Sequence, residues 1–323
     1  MLAGLSIALL IYFGLLRFDV LADLYDRPAR VVICGLLLLA TIPLGALRWH
    51  ALLRCQGFLL PFRKTFQVVM VGQFFNTFLP GAYGGDIVRA GYIYHGARRQ
   101  AGRLLMSILA DRLSGLAGLI SLGIAAQVAL PSAIALRLSA AMLMLAIAVV
   151  ALLFALPTLG RSAAAALQSS NSPLAKRLGS RGLSLLKQIA TASRTYRQRP
   201  DILIGAVVLS ALQFTLALLA FVVLAHAFDF ATAASTTIAY AGVVSLVANS
   251  IPLTPGGIGL GEAAFANTIL LVEPLATGPY ATVFLASRAL TLLLNLLGGF
   301  VFLAYRSEVI EYANAGRRSS EEI

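Results

Sequence analysis

The chain holds 323 residues, 59% hydrophobic and 12% charged, with a mean hydropathy of +0.87 and a formal net charge of +12. That composition excludes an ordinary soluble globular domain and describes a polytopic membrane protein. The basic excess would suggest nucleic acid in a soluble chain, but here Lys and Arg gather in short loops and no basic stripe with interleaved aromatics forms a domain, so no nucleic-acid partner is expected.

Runs free of Asp, Glu, Lys and Arg occur at 1–16, 31–47, 113–136, 138–160, 202–228 and 289–305. About 20 apolar residues span a bilayer core of roughly 30 Å, and terminal Arg side chains lengthen the shorter runs by snorkelling. Residues 1–16 lack a basic leading region and a small-residue cleavage site, so they are expected to be a retained first span. The loop after it mixes Asp19, Asp23 and Asp26 with Arg17, Arg27 and Arg30, whereas the next carries Arg48, Arg54, Arg63 and Lys64 without an acid. The second loop is therefore expected in the cytoplasm, and the N-terminus with it. Trp49, beside Arg48, is expected to anchor at the interface. Cys34 and Cys55 are too few for a disulfide framework or metal site.

The third hydrophobic stretch, about 65–95, is flanked by basic residues on both sides, with Arg89, Arg98, Arg99 and Arg103 following it. A single crossing would leave one cluster outside. A hairpin that enters and leaves on the cytoplasmic side satisfies both, and Pro80 and Gly81 supply its turn. Spans near 104–130 and 132–158 lead to residues 161–199, which hold eight Lys or Arg and no acid. There Leu178, Leu185, Ile189, Ala192 and Tyr196 recur at helical spacing, which fits either an amphipathic helix on the anionic inner leaflet or a solvated basic linker. A span at 201–227 leads outward to His226, expected at the interface. A second broken hairpin, about 232–273, is flanked by Asp229 and Glu273, and a last span at about 280–304 returns to a cytoplasmic tail.

The two hairpins are copies of one device. FFNTFLPGAYGGD (74–86) and NSIPLTPGGIGLGE (249–262) each place Asn, Pro, several Gly and a carboxylate in apolar sequence. Pro80 and Pro255 lie 175 apart, while Asp86 and Glu262, and Arg112 and Arg288, lie 176 apart. The breaks comprise Pro80, Gly81, Gly84 and Gly85 in one copy and Pro255, Gly256 and Gly257 in the other. Broken helices at matching places in two hydrophobic halves point to a transporter's binding site. The expected architecture is all-α and polytopic, with about six spanning helices and two re-entrant broken hairpins in an inverted repeat. Its parts are a first span and external loop (1–30), repeat 1 (31–130), a connecting span and basic loop (131–200), repeat 2 (201–305) and a tail (306–323).

A charge at the centre of a lone membrane helix costs at least about 2.5 to 3.5 kcal/mol, so Asp86, Arg89, Asp111, Arg112, Glu262 and Arg288 are candidates for function or pairing. Arg112 and Arg288 each lie nine residues past a helix-end marker, a depth of about 13 Å at about 1.5 Å per residue, which predicts one shared midplane site. Pairing alone would join Asp86 to Arg112 and Glu262 to Arg288. Function would add phosphate binding by the arginine forks and by N–H groups freed at the breaks. Three arginines against three carboxylates admit an anion only if one carboxylate protonates. Asn76, Gln73 and Asn249 suit either the headgroup or the unwound backbone. The glycines at 257, 259 and 261 have no preceding strand, so no dinucleotide cofactor is expected, and no metal-ligand spacing is present.

FFNTFLPGAYGGDIVR, ADRLSGLAGL from Ala110 and TPGGIGLGEAAF from Thr254 together resemble the lysylphosphatidylglycerol synthase transmembrane family, the flippase-like domain of MprF proteins and their stand-alone relatives. The resemblance spans nearly the whole chain. It implies a multi-pass protein of the cytoplasmic membrane that moves a phospholipid or lipid-linked anion between leaflets. Members that aminoacylate lipid carry a soluble synthase domain after the membrane part, and the sequence here runs to Ile323, so lipid aminoacylation by this polypeptide is not expected; a separate lipid-modifying enzyme is a candidate partner. The alternatives are a membrane enzyme acting on a lipid phosphate or lipid-linked sugar, for which Asp23 to Asp26 is a D-x-x-D match in a short external loop, and a non-transporting partner of a lipid synthase.

Overall fold

The computed structural model describes residues 11–12, 15–78, 84–94, 100–128, 130, 173–228, 230–250, 258–276 and 278–305, with isolated positions between 136 and 162. Most of the expected first span, most of the connecting span, Arg98, Arg99, Asp229 and the tail lie outside the described residues. So do the hairpin residues Pro80, Gly81, Pro255, Gly256 and Gly257.

Among the described residues the fold is helical and contains no strand. Four helices are long and apolar enough to cross a membrane: α1 (Pro28–Cys55), α4 (Ala101–Gln127), α6 (Pro200–Ala225) and α9 (Tyr280–Ala304). Four shorter ones stand between them, α2 (Phe62–Phe78), α3 (Gly84–Tyr94), α7 (Ser235–Asn249) and α8 (Leu260–Val272). At about 1.5 Å per residue none of these reaches 30 Å alone. The series long, short, short, long thus occurs on each side of a basic helix, α5 (Pro173–Gln198).

Local sequence sets the boundaries. Pro28 and Pro200 open α1 and α6, where a missing N–H costs nothing. Beyond Cys55 the chain turns through Gly57 at φ +89°, a conformation that favours glycine. Because α1 runs on to Cys55, Arg48 and Trp49 lie inside a helix and not in a loop. Trp49 is fully buried, packed with Leu53, Phe58 and Val69, so the expected interfacial anchor is instead a core residue.

Contacts at the helix ends fix the directions. At one end the Arg27 guanidinium donates to the carbonyls of His226 and Ala227 at 3.2 and 3.3 Å, and the Arg17 N–H donates to Thr282 Oγ1 at 2.9 Å. At the other, Tyr196 OH donates to the Leu52 carbonyl at 2.9 Å and Arg63 donates to Tyr305 OH at 2.9 Å. Helices α1 and α9 therefore run from the first end to the second, and α6 runs the opposite way. The short helices double back. His50 Nδ1 meets Thr65 Oγ1 near the start of α2 at 3.0 Å, and Ile93 near the end of α3 packs into the same cluster as Phe58 and Trp49. Likewise Glu273, just past α8, accepts from the Ala234 N–H and from Thr237 Oγ1 at the start of α7.

The main core joins α1, α4, α6, α7, α8 and α9 through residues such as Leu38, Ile120, Leu224, Ile238, Phe265 and Phe284. Glycines let helices cross closely: a Cβ on Gly118 would come within 2.5 Å of Ser210, and one on Gly298 within 2.1 Å of the Met70 carbonyl. Exposed Val32, Leu36, Ile204, Val208, Leu293 and Phe300 on the long helices leave an apolar exterior suited to lipid.

Helix α5 is amphipathic, and the apolar residues described in its second half turn toward protein. Ala190, Ala192, Ser193 and Tyr196 are buried, and Ala192 and Tyr196 pack with Leu52, Met106 and Ala110 of α1 and α4. Its apolar stripe faces protein, while Lys187, Arg194 and Arg197 remain exposed. The Leu178 side chain lies outside the described set.

Candidate functional site

Each pair of short helices meets across a break, and a carboxylate sits in the first turn of the second helix, where the helix dipole favours negative charge. In the first half this is Asp86, behind Gly84 and Gly85. The Gly85 N–H donates to Asn76 Oδ1 at 2.7 Å. A Cβ on Gly85 would fall 1.9 Å from the Gly72 carbonyl, so only glycine permits this approach of α3 to α2. In the second half Gly259 turns the chain at φ +86° and its N–H donates to Glu262 Oε2 at 2.8 Å. This is the return arm of a capping box. A Cβ on Gly261 would meet the Asn249 side chain at 2.7 Å. Of the two readings for the asparagines, Asn76 takes the backbone one. Asn249 Oδ1 is buried and has no hydrogen-bond partner among the described residues.

Both expected ion pairs form. Asp86 Oδ2 receives Arg112 Nε at 2.8 Å and Nη2 at 2.6 Å. Glu262 Oε1 lies 3.0 Å from Arg288 Nε, and the Arg288 guanidinium lies 5.6 Å above the Phe284 ring.

The first half holds more charge than its sequence suggested. Arg48 Nε donates to Asp111 Oδ1 at 2.6 Å, and its Nη1 donates to Ser210 Oγ and Gln213 Oε1 on α6 at 2.9 and 3.1 Å. Arg89 bridges the two acids, with Nη1 3.6 Å from Asp111 Oδ2 and 3.8 Å from Asp86 Oδ1. Its guanidinium stacks 5.2 Å over Trp49, a further stabilisation for a buried cation. The network thus ties α1, α3, α4 and α6 together. Arg48, Asp86, Arg89 and Asp111 are all buried, whereas the Arg112 side chain is 44% exposed.

Arg48 changes the arithmetic of the site. With it, the two ion clusters hold four arginines and three carboxylates among the described residues. A signal for Arg48 was present in the sequence: Asp111 is the only acid between Asp86 and Asp201, and a membrane-buried acid requires a cation on a neighbouring helix. Among the described residues, no group of three or more His, Cys, Asp or Glu could hold a metal ion.

The model of the family described as lysylphosphatidylglycerol synthase TM region matches residues 1–299. The chain belongs to that family. No curated protein and no solved structure matches it. As a member of the lysylphosphatidylglycerol synthase TM region family it is a membrane protein tied to lipid handling. The family match takes in both helix breaks and both carboxylate–arginine pairs.

Proposed function

We propose that the protein moves an anionic phospholipid or lipid-linked phosphate between the leaflets of the cytoplasmic membrane, with the headgroup held by arginines and the acyl chains left in the bilayer. The observation that carries this reading is the recurrence of one device with a buried carboxylate in a chain of a lipid-handling family. A carboxylate in the first turn after a helix break meets an arginine 26 residues later, in each half. Arginine presents a planar fork suited to phosphate, and a helix start beside it offers free N–H groups to the same anion. Arg112 is the more accessible of the two, and Arg89 and Arg48 stand behind it.

In this reading the two halves form an inverted repeat. The α2–α3 pair is a re-entrant hairpin opening to the end where Arg63 meets Tyr305, and α7–α8 is one opening to the end where Arg27 meets His226. The first of these ends is cytoplasmic, which the exposed Arg54, Arg63, Arg103, Lys187, Arg194 and Arg197 support. Both termini then face the cytoplasm. The two arginines gate one midplane route from opposite sides, as in transporters built from inverted repeats.

The test is reconstitution. Purified protein in liposomes should carry labelled phosphatidylglycerol between leaflets unaided, and Arg112→Ala and Arg288→Ala should each abolish movement in a protein that still folds and inserts. Lysine at either position should restore only part of the activity. Normal transport by both alanine variants would dismiss the arginine clamp. A change in lipid mass would favour a membrane enzyme, and neither outcome would favour a non-transporting partner of a lipid synthase.

A further inference from the structure

The ion cluster of the first half contains a cation that is packed in place without being closely bonded. Asp86 and Asp111 each have a near partner: Asp86 Oδ2 receives Arg112 at 2.8 and 2.6 Å, and Asp111 Oδ1 receives Arg48 at 2.6 Å. Arg89 stands between the two acids, and its Nη1 reaches them only at 3.8 and 3.6 Å, beyond the roughly 2.7 to 3.2 Å of an N–H···O bond. Its Nε, and the Asp86 Oδ1 that it approaches, are both buried without a hydrogen-bond partner among the described residues. What fixes Arg89 is packing. The guanidinium lies 5.2 Å over the Trp49 ring, and the stem lies against Gly72 of α2, where a Cβ would come within 2.7 Å of Arg89 Cγ. Such contacts tolerate a slide that hydrogen bonds would resist. Bringing Nη1 from 3.8 Å to bonding distance of Asp86 Oδ1 takes a shift of about 1 Å. Asp111 is not stranded by it, because Arg48 stays bound.

Arg112 is the member of the cluster that a headgroup can meet, since its side chain is 44% exposed while the other four residues are buried. Asp86 holds the Nε–Nη2 edge of Arg112, so a phosphate that grips this edge draws Arg112 off an acid that is only 7% exposed. A carboxylate left unpaired at that burial is strongly unfavourable. From this we infer that Arg89 is a standby counter-ion: as the headgroup takes Arg112, Arg89 closes on Asp86 and keeps the acid paired. Arg89 is thus a positioning residue, acting on the lipid through Asp86 and Arg112 and not by contact. The inference rests on the arginine-clamp reading above, but it concerns how Arg112 is released and not lipid movement.

Trp49 is the chain's single tryptophan, so its emission reports on the cation stacked over it. The full chain in detergent is titrated with phosphatidylglycerol while native mass spectrometry counts bound lipid and fluorescence follows Trp49. In the wild type the emission should change in step with occupancy. In Arg112→Ala, Arg89 has already closed on Asp86, so the emission should begin near the lipid-bound value and stay there. Arg89→Gln leaves Arg112 as the one cation on Asp86 and should weaken phosphatidylglycerol binding by about tenfold. Adding Asp86→Asn removes the acid that needs a stand-in, so the double variant should recover wild-type affinity or better. Arg89→Gln that binds like the wild type would overturn the inference. So would a double variant that stays weak, because a purely structural Arg89 or one that touches the lipid directly gains nothing from loss of the acid. Wild-type Trp49 emission that stays constant up to full occupancy would overturn it without any variant. Liposomes that move no phosphatidylglycerol while Trp49 and the double variant behave as expected would remove the transport reading and leave this one standing. Transport that needs Arg112, with lipid binding indifferent to Arg89, would do the reverse.

Discussion

The two halves build the same carboxylate–arginine pair and surround it with opposite chemistry. Beside Asp86 and Arg112 stand Arg89, Asp111 and Arg48. Positions 176 residues further on hold Phe265, Ser287 and Leu224, and around Glu262 and Arg288 there is an aromatic group of Phe221, Phe265 and Phe284, with Phe221 and Phe284 stacked at 5.2 Å. An ion pair within a membrane helix bundle can thus be supported in two ways, by further ions that share its charge or by apolar walls that exclude competitors. The first spreads the charge over α1, α3, α4 and α6, and the second confines it to one pair between α8 and α9.

The sharpest way to break this comparison is to ask whether the halves truly oppose each other. Single cysteines at Lys64 and Arg98 should label only from the cytoplasm, and those at Asp229 and Glu273 only from outside. Labelling of the Lys64 and Arg98 sites from opposite faces would sink the opposed arrangement. The charged wall gives the next largest effect. Asp111→Ser alone removes the only carboxylate on Arg48 and leaves Arg89 to Asp86, and it should cost about 3 to 5 kcal/mol, measured as a drop in the melting temperature of purified protein. The triple change Arg48→Leu, Arg89→Phe, Asp111→Ser installs the residues of the second half and should melt higher than the single variant, since an apolar replacement of a whole ion network is often neutral or better. A triple variant less stable than the single one would show that the two walls are not interchangeable.

A smaller difference separates the glycines before each carboxylate. Gly85→Ala drives a methyl into the backbone of α2, whereas Gly261→Ala meets the side chains of Asn249 and Phe284, which can shift. Both should destabilise, within the usual overpacking range of about 1 to 3 kcal/mol, with Gly85→Ala the worse. Equal melting temperatures for the pair would contradict this ranking. The smallest effect belongs to the basic helix between the halves. Gln188 Oε1 accepts from the Gly102 N–H in the first turn of α4 at 3.0 Å, and Gln188→Ala should lower the melting temperature by an amount equivalent to about 0.5 to 1.5 kcal/mol.

Much of this architecture was legible before any coordinates. Apolar runs close to the length a bilayer needs mark the long helices, and proline with glycine inside apolar sequence marks the breaks. The 26-residue spacing from Asp86 to Arg112 and from Glu262 to Arg288 anticipates both ion pairs. The residues that were misread share one cause. Counting a span only until its first charge ended α1 at residue 47, which put Arg48 and Trp49 in a loop, although an arginine buried against Asp111 leaves a helix free to continue. What covers helix α5 was not legible, because an apolar stripe reveals that something covers it but not what, and at Ala192 and Tyr196 the cover is α1 and α4. Arg89 bridging Asp86 and Asp111 was out of reach too, since it depends on how α3 and α4 lie side by side.

Gly123 and Gly299, again 176 residues apart, each stand where the closing long helix of one half passes the opening short helix of the other. A Cβ at Gly123 would come 3.0 Å from Val243 of α7, and one at Gly299 would come 2.8 Å from Phe74 of α2. Each passage is closed to any larger residue, so at matching stations of the molecule the spacing between a hairpin and the opposite half is set by what these two residues lack.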